Sequence, residues 1–231
     1  MHNNIIIFTD GSALGNPGKA GWGAVIISNK KEILEMGGFE KKSTNNRMEM
    51  TAVIESIKRV NEEFPDSHIT IYTDSSYVVN GITKWIHGWI LKGWVGVNKQ
   101  PILNKDLWEE LKEVSGSNIK WSLLPGHSGI FGNEKADEIA TTFASENRPI
   151  LYKGTIDKYN KNILDLSTNG ISKSSKKNVI AYSYLSMVNG KIEKHKTWKE
   201  CESVVKGKKD VKFKKSISRE DEEKIIDEWT S

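Results

Sequence analysis

Four acidic side chains stand at positions where an α/β fold gathers its functional groups. Asp10 follows the apolar run "IIIFT" and Asp74 follows "HITIYT", so each ends a predicted core strand. Glu49 lies in the first turn of a predicted helix, and Asp137 lies beside small alanines in another. A carboxylate at the tip of a buried strand must be paired or bound to a metal ion. Asp10 therefore requires partners that the rest of the chain supplies.

Convergence of these acids would be costly without a cation. Two carboxylates 4 Å apart repel by about 4 kcal/mol at an effective dielectric near 20. Oxygen ligands without cysteine or clustered histidine favour Mg²⁺, with Mn²⁺ as a substitute, over Zn²⁺. Two such ions about 3.5–4 Å apart activate water and stabilise the leaving oxygen in phosphodiester hydrolysis. The alternative is unconnected surface charges, which fits Asp10 and Asp74 poorly because both end apolar strands.

The elements that must hold these acids alternate along the first 146 residues. Strand-like runs cover 5–9, 22–28, 31–40, 68–73 and 119–124, and helical periodicity covers 46–62, 75–86, 104–115 and 131–146. Three early strands predict an antiparallel meander, and the later alternation of strand and helix predicts parallel additions. We therefore expect an α/β (α+β) fold, with a mixed sheet and helices packed on it.

Four separated motifs carry a family resemblance. "TDGS…GNPG…GWG", "TNNRMEM", "YTDSSYVVNGITKWIHGW" and "LPGHSGIFGNEKADEIA" occur in this order. Together they resemble type 1 ribonuclease H over about residues 3–146. The resemblance implies the ribonuclease H-like fold with a five-stranded mixed sheet, and metal-dependent hydrolysis of the RNA strand of RNA–DNA hybrids to 5′-phosphate and 3′-hydroxyl ends. It also implies that the metal-binding carboxylates are Asp10, Glu49, Asp74 and Asp137.

The resemblance further assigns His127, in "PGHSG", to a family histidine held on a mobile loop. Glycines flank this position, and the ordinary pKa of histidine suits proton transfer near neutral pH. The alternative is a structural histidine. The glycines that follow Asp10 are expected to let the backbone approach nucleic acid closely.

Residues for gripping a hybrid follow from the same resemblance. It implies that minor-groove and 2′-hydroxyl contacts come from Asn16, Asn45 and Asn46, and that a phosphate of the DNA strand is held by Thr44 and Asn104. The segment 84–104 resembles the family's basic protrusion, although "GWILKGW" carries a single lysine. We expect its Trp85 and Trp89 to contact nucleic acid, the alternative being that these rings belong to the core.

The chain divides by composition into a catalytic domain (1–146), an extension and flexible linker (147–178) and a small basic domain (179–231). The first half of the extension keeps apolar residues for packing on the first domain. Residues 1–170 carry 19 basic and 20 acidic side chains, whereas residues 171–231 carry 15 and 10. A basic surplus of this kind is either a solvated surface or the footprint of a polyanion binder.

The basic domain carries a second, looser resemblance. "TWKECESVVKG…VKFKKSIS" resembles the hybrid-binding domain of eukaryotic ribonuclease H and the related viroplasmin-like module. The resemblance implies that Trp198 and Phe213 contact DNA sugars while Lys214 and Lys215 take phosphates. The alternative is a generic basic domain. Its local pattern predicts a hairpin turned at 189–190, a helix over 198–206, a strand near 211–216 and a last helix over 219–229.

Composition excludes other classes of protein. The single cysteine, Cys201, excludes an internal disulfide framework and a cysteine-based zinc site. No apolar run approaches the roughly 18 residues of a membrane span. We expect a cytoplasmic monomer whose partner is an RNA–DNA hybrid, with no membrane and no obligate protein partner. Two alternatives stay open: a non-catalytic hybrid-binding protein, and a DNA-cutting enzyme of the same fold, such as an integrase or resolvase.

Overall fold

The computed structural model describes residues 3–97, 99–126, 128–167, 182–188, 190–206, 208, 211–216 and 219–230. It contains two compact units, Met1–Ile171 and Ser172–Ser231. Each unit has its own sheet: six strands in the first and three in the second. Within the described residues, no helix is both long enough and apolar enough to cross a membrane.

The first unit is built on a mixed sheet with strand order β5-β4-β1-β2-β3-β6. Its strands are β1 (Asn4–Gly15), β2 (Gly18–Ser28), β3 (Glu32–Ser43), β4 (His68–Thr73), β5 (Ile119–Leu123) and β6 (Lys153–Thr155). β1, β2, β3 and β6 pair antiparallel in turn, whereas β4 runs parallel to both β1 and β5. The predicted meander followed by parallel strands is confirmed.

The sheet has six strands where the sequence predicted five. The additional strand, β6, pairs with β3, so that Leu34 lies opposite Lys153 and Glu32 opposite Thr155. A run of three residues, "KGT", has no alternation long enough to mark it as a strand. These three residues form a strand because they pair with the otherwise unpaired edge of β3.

The helices of the first unit cover both faces of the sheet. They are α1 (Asn45–Glu63), α2 (Ser76–Asn80), α3 (Ile86–Leu91), α4 (Lys105–Val114) and α5 (Phe131–Ala144), with a π-helical turn, Gly81–Trp85, joining α2 to α3. Side chains of β1 alternate between the two resulting cores. Ile5 and Ile7 pack with α1, and Phe8 packs in the cluster that includes Ile139 of α5.

Glycines of β1 and β2 bring α1 and α5 close to the sheet. A Cβ atom on Gly11 would lie 2.3 Å from the backbone nitrogen of Glu49, and one on Gly23 would lie 2.3 Å from the carbonyl oxygen of Ala136. Any side chain at either position would push the helix away. The expectation that these glycines make room for nucleic acid is therefore wrong for Gly11 and Gly23, which make room for helices.

The second unit is a three-stranded antiparallel sheet of order β8-β7-β9 with two helices. Its elements are β7 (Ser183–Val188), β8 (Lys191–His195), α6 (Trp198–Val205), β9 (Lys212–Ser216) and α7 (Arg219–Thr230). The predicted hairpin is confirmed by the pair Val188 and Lys191, although Asn189 in its turn lies outside the described residues. Thr197 and Glu200 form a capping box at the start of α6. Cys201 is a buried free thiol.

Candidate active site

Asp10 and Asp74 come together where two parallel strands diverge. The last paired residues of β1 and β4 are Phe8 and Tyr72, and each acid lies two positions further along the chain, Asp10 within β1 and Asp74 just after the end of β4. β1 continues past Asp10 to Gly15 because its second half pairs with β2. Asp10 is thus not at the strand tip that the sequence predicted, but at the point where the parallel pairing ends.

Glu49 reaches the same place from the second turn of α1, because the helix begins at Asn45 and not one residue later as the sequence predicted. Its Oε2 accepts a hydrogen bond from the Ser75 hydroxyl, and its Oε1 accepts one from Asn45 Nδ2 at 2.9 Å. Burial raises the pKa of Glu49, and the charge of Asp74 adds to the effect. The absence of a Cβ on Gly11 permits this approach of α1.

Asp10 is the acid on which the charges of the other three act. Burial raises its pKa from 3.8 to about 8, and the negative charges of Asp74, Asp137 and Glu49 act in the same direction. The backbone N–H of Gly11, which donates to Asp10 Oδ1 at 2.7 Å, opposes them. Near neutral pH and without a cation, Asp10 therefore holds a proton that an exposed aspartate would have lost.

The donor set fits a hard divalent cation. Asn133 of α5 is 5% exposed; its Nδ2 donates to Asp74 Oδ2 at 3.4 Å, and its buried Oδ1 has no hydrogen-bond partner among the described residues. Four mutually repelling carboxylates and an unpaired amide oxygen supply the oxygen ligands that Mg²⁺ and Mn²⁺ prefer. Within the described residues, no three acidic, histidine or cysteine side chains are already grouped as ligands of one ion.

His127 lies outside the described residues, so its predicted role stays a prediction. Gly126, the residue before His127, is described, and it lies close to one of the candidate carboxylates. A Cβ on Gly126 would lie 3.6 Å from Asp74 Oδ2. The "PGHSG" segment therefore reaches the carboxylates at least as far as Gly126.

Two of the three predicted hybrid-contacting asparagines meet at the start of α1. The backbone N–H of Asn45 donates to Asn16 Oδ1 at 3.4 Å, and Asn46 follows as an exposed residue. Since Asn45 also donates to Glu49, this amide cluster adjoins the carboxylates directly.

The two predicted phosphate-holding residues are linked by an arginine that sequence reasoning missed. Thr44 caps α1 by accepting the Arg47 N–H at 3.4 Å, and Arg47 Nη1 donates to Asn104 Oδ1 at 3.4 Å. Asp106 receives two further bonds from the same guanidinium, at 3.0 and 2.7 Å, and this pairing lowers the pKa of Asp106. The available signal was a cation inside "TNNRMEM", between residues expected to meet phosphate.

The tryptophans of segment 84–104 divide between core and surface. Trp85 is 40% exposed, whereas Trp89 is half-buried, with its ring centroid 5.3 Å from that of the fully buried Trp108. Trp85 and Trp89 also contact each other, at 5.7 Å between centroids. Trp85 thus presents a ring to solvent, and Trp89 mainly supports it.

The second unit brings two of its predicted contact residues, Trp198 and Phe213, together. Trp198 at the start of α6 and Phe213 of β9 have ring centroids 5.4 Å apart, and Tyr184 stands 5.9 Å from Trp198. Trp198 is 41% exposed and Phe213 52% exposed, which is high for large aromatic side chains. Lys214 and Lys215 follow on β9 and are also exposed.

Comparisons with known proteins match the first unit of the chain. A family model described as RNase H matches residues 2–145. The curated ribonuclease H of Thermosynechococcus vestitus is 46% identical over 144 residues, covering 62% of this chain and 90% of that protein. The curated ribonuclease H of Francisella philomiragia is 46% identical over 145 residues, covering 62% of this chain and 93% of that protein. The crystal structure of LC9-RNase H1, a type 1 RNase H with the type 2 active-site motif, matches with a TM-score of 0.59 at 25% identity, covering 74% of this chain and 85% of that one.

Proposed function

The chain belongs to the RNase H family and is a ribonuclease H, and we propose that it hydrolyses the RNA strand of RNA–DNA hybrids using divalent metal ions. The products would be 5′-phosphate and 3′-hydroxyl ends. The observation that supports this most is the raised pKa of Asp10, which reports three further carboxylates around one buried carboxyl group. Such a concentration of negative charge destabilises a fold unless it serves to bind cations.

Asp10, Glu49, Asp74 and Asp137 would hold two Mg²⁺ ions, with Mn²⁺ as a substitute. When bound, the metal ions supply an activated water and stabilise the departing 3′ oxygen. Ser75 and Asn45 orient Glu49 through their hydrogen bonds, and the Gly11 N–H holds Asp10 Oδ1 in place. His127, on the evidence of its sequence position, would carry a proton to or from the reacting groups.

Recognition of the hybrid would use three asparagine side chains and the pair Thr44 and Asn104. Asn16, Asn45 and Asn46 are short donors and acceptors suited to 2′-hydroxyl and base-edge contacts in a minor groove. A phosphate of the DNA strand would sit between Thr44 and Asn104, which Arg47 links to each other while its charge is paired with Asp106. Trp85 offers an exposed ring for sugar contact beside this surface.

The second unit would raise affinity for the hybrid. Its exposed Trp198 and Phe213 offer faces for sugars, and Lys214 and Lys215 offer charges for phosphates. The exposed rings favour this role over that of a generic basic domain. We keep the expectations of a monomeric state and a cytoplasmic location as parts of the proposal.

The test is cleavage of a labelled RNA–DNA hybrid, with duplex DNA and duplex RNA as competing substrates and with or without Mg²⁺. We expect Mg²⁺-dependent cleavage of the hybrid alone. Asp74→Asn should lower turnover by orders of magnitude and leave hybrid binding intact, whereas Asp157→Asn, which removes an exposed carboxylate of the same unit, should cleave normally. Binding without cleavage by the unaltered protein would favour the non-catalytic alternative. Cleavage of duplex DNA would favour an integrase-like or resolvase-like enzyme.

A further inference from the structure

A strap formed by residues 151–164 follows the segment that the family model matches, and it converges on a buried carboxylate. Glu35 of β3 is 4% exposed. Its Oε2 accepts the backbone N–H of Tyr152 at 2.9 Å, and its Oε1 accepts the Tyr159 hydroxyl at 2.5 Å. Lys135 Nζ of α5 lies 3.8 Å from the same Oε1. Because a buried carboxylate needs such partners, Glu35 ties the strap to both the sheet and α5.

Aromatic packing fastens the strap to the first residue of α5. The Tyr159 ring meets that of Phe131 edge-on, with centroids 6.2 Å apart, and Ile163 is fully buried in the same apolar cluster. The residue before α5, Ile130, makes no side-chain capping hydrogen bond. The packing around Phe131 therefore contributes to holding the start of α5 in place.

The first two turns of α5 also carry groups of the candidate active site. Asn133 donates to Asp74, and Asp137 contributes to the negative potential at Asp10. Lys135 lies between Asn133 and Asp137 along the helix, and its Nζ lies 3.0 Å from Glu138 Oε1 and 3.8 Å from Glu35 Oε1. Any displacement of the start of α5 therefore moves Asn133 and Asp137 together relative to the carboxylates on the sheet.

We propose that Tyr159 is a positioning residue for RNA hydrolysis: its bond to Glu35, which also attracts Lys135, sets the place of α5 and so the place of Asp137. This inference rests on the proposed function, because it assumes that Asp137 takes part in the reaction. Tyr159 itself acts only through these neighbours. Burial and the hydrogen bond to Glu35 both raise the pKa of its hydroxyl, so it remains a donor at neutral pH.

Two conservative variants of the full chain separate positioning from general stability. Tyr159→Phe removes the hydroxyl that reaches Glu35 and keeps the ring. Tyr152→Phe is the matched control, because the Tyr152 hydroxyl donates to the Thr155 carbonyl at 2.7 Å, within the strap. Both are assayed at a temperature where circular dichroism shows complete folding. We expect kcat of Tyr159→Phe to fall about 10-fold with KM nearly unchanged, since small misplacements of reacting groups are costly, and Tyr152→Phe to keep both constants.

A second measurement does not depend on cleavage. Amide hydrogen exchange, followed by mass spectrometry without nucleic acid, should be faster over residues 131–137 in Tyr159→Phe and unchanged in Tyr152→Phe. Equal kcat values for the two variants, or unchanged exchange over 131–137, would overturn the positioning role. Failure of the unaltered protein to cleave hybrids would instead overturn the proposed function.

Should Tyr159→Phe fail to fold, Lys135→Met tests the same connection from the side of α5. This variant removes the charge that lies near Glu35 and keeps most of the apolar stem of the side chain. We expect the same loss of kcat and the same local increase in exchange. Normal kcat and normal exchange in Lys135→Met would count against the proposal.

Discussion

Replacing Asp10 by asparagine should stabilise the metal-free protein while removing its activity. The substitution keeps the size of the side chain and removes a negative charge. Burial and the three neighbouring carboxylates make that charge unfavourable in the folded protein. In the unfolded chain Asp10 ionises with its ordinary pKa of 3.8, and in the folded protein it does so at about 8. The folded state thus binds the proton more tightly, and stability falls as pH rises from about 4 to 8.

The magnitude follows from the two pKa values. Near pH 7 the pH lies about three units above the pKa of Asp10 in the unfolded chain, whereas the folded protein still holds the proton. Each unit contributes about 1.4 kcal/mol, so the ionisation of Asp10 lowers the free energy of unfolding by about 4 kcal/mol. Near pH 5 the same reasoning leaves about 2 kcal/mol. Water entry and local relaxation reduce both values, and we expect Asp10→Asn to gain about 2–4 kcal/mol near pH 7 and about half of this near pH 5.

The assay is urea denaturation of both proteins in a chelating buffer, near pH 5 and near pH 7, with circular dichroism as the signal. Asp157→Asn is the control, because it removes an exposed carboxylate and should leave the midpoint unchanged. Excess Mg²⁺ should stabilise the unaltered protein more than Asp10→Asn, since binding to the folded state adds to its stability. A variant no more stable than the unaltered protein near pH 7, or a gain that does not shrink toward pH 5, would refute the convergence of the four carboxylates.

Other predictions concern His127 and the second unit. His127→Ala should slow turnover by about 10²–10⁴-fold without abolishing it, because water partly replaces a proton carrier; turnover as low as that of Asp74→Asn would show that the histidine is essential. Deletion of residues 179–231 should raise KM and flatten the salt dependence of binding by about 0.9 in log–log slope for each lost phosphate contact, with kcat unchanged. Unaltered affinity at about 0.15 M salt would assign that unit to another partner. Trp198→Ala with Phe213→Ala should weaken binding and keep most of the salt slope, as the lysines remain; a salt slope that falls as far as it does in the deletion would contradict the division of roles between rings and lysines.

The sequence alone determined the family and the order of most elements, and it supplied the four acids that we propose as metal ligands. Asp10 and Asp74 could be found because each follows an apolar run, and position after a strand is a local property of the chain. Glu49 and Asp137 were assigned by the family resemblance, through the short motifs "TNNRMEM" and "GNEKADEIA" in which they lie. Trp198 and Phe213 came from the looser resemblance of the basic domain, and their contact with nucleic acid stays a prediction.

Only the tertiary structure decided what the glycines, the extension and Glu35 do. Gly11 and Gly23 face helices that are remote along the chain, so their purpose is invisible to any local pattern. Glu35 is separated from Tyr152 and Tyr159 by 117 and 124 residues, and in sequence it is an ordinary acid in an alternating strand. In the folded protein Glu35 is buried, and its hydrogen bonds hold residues 151–164 against the sheet. The free energy of a buried charge depends on its partners in space, and long-range packing alone determines which partners those are.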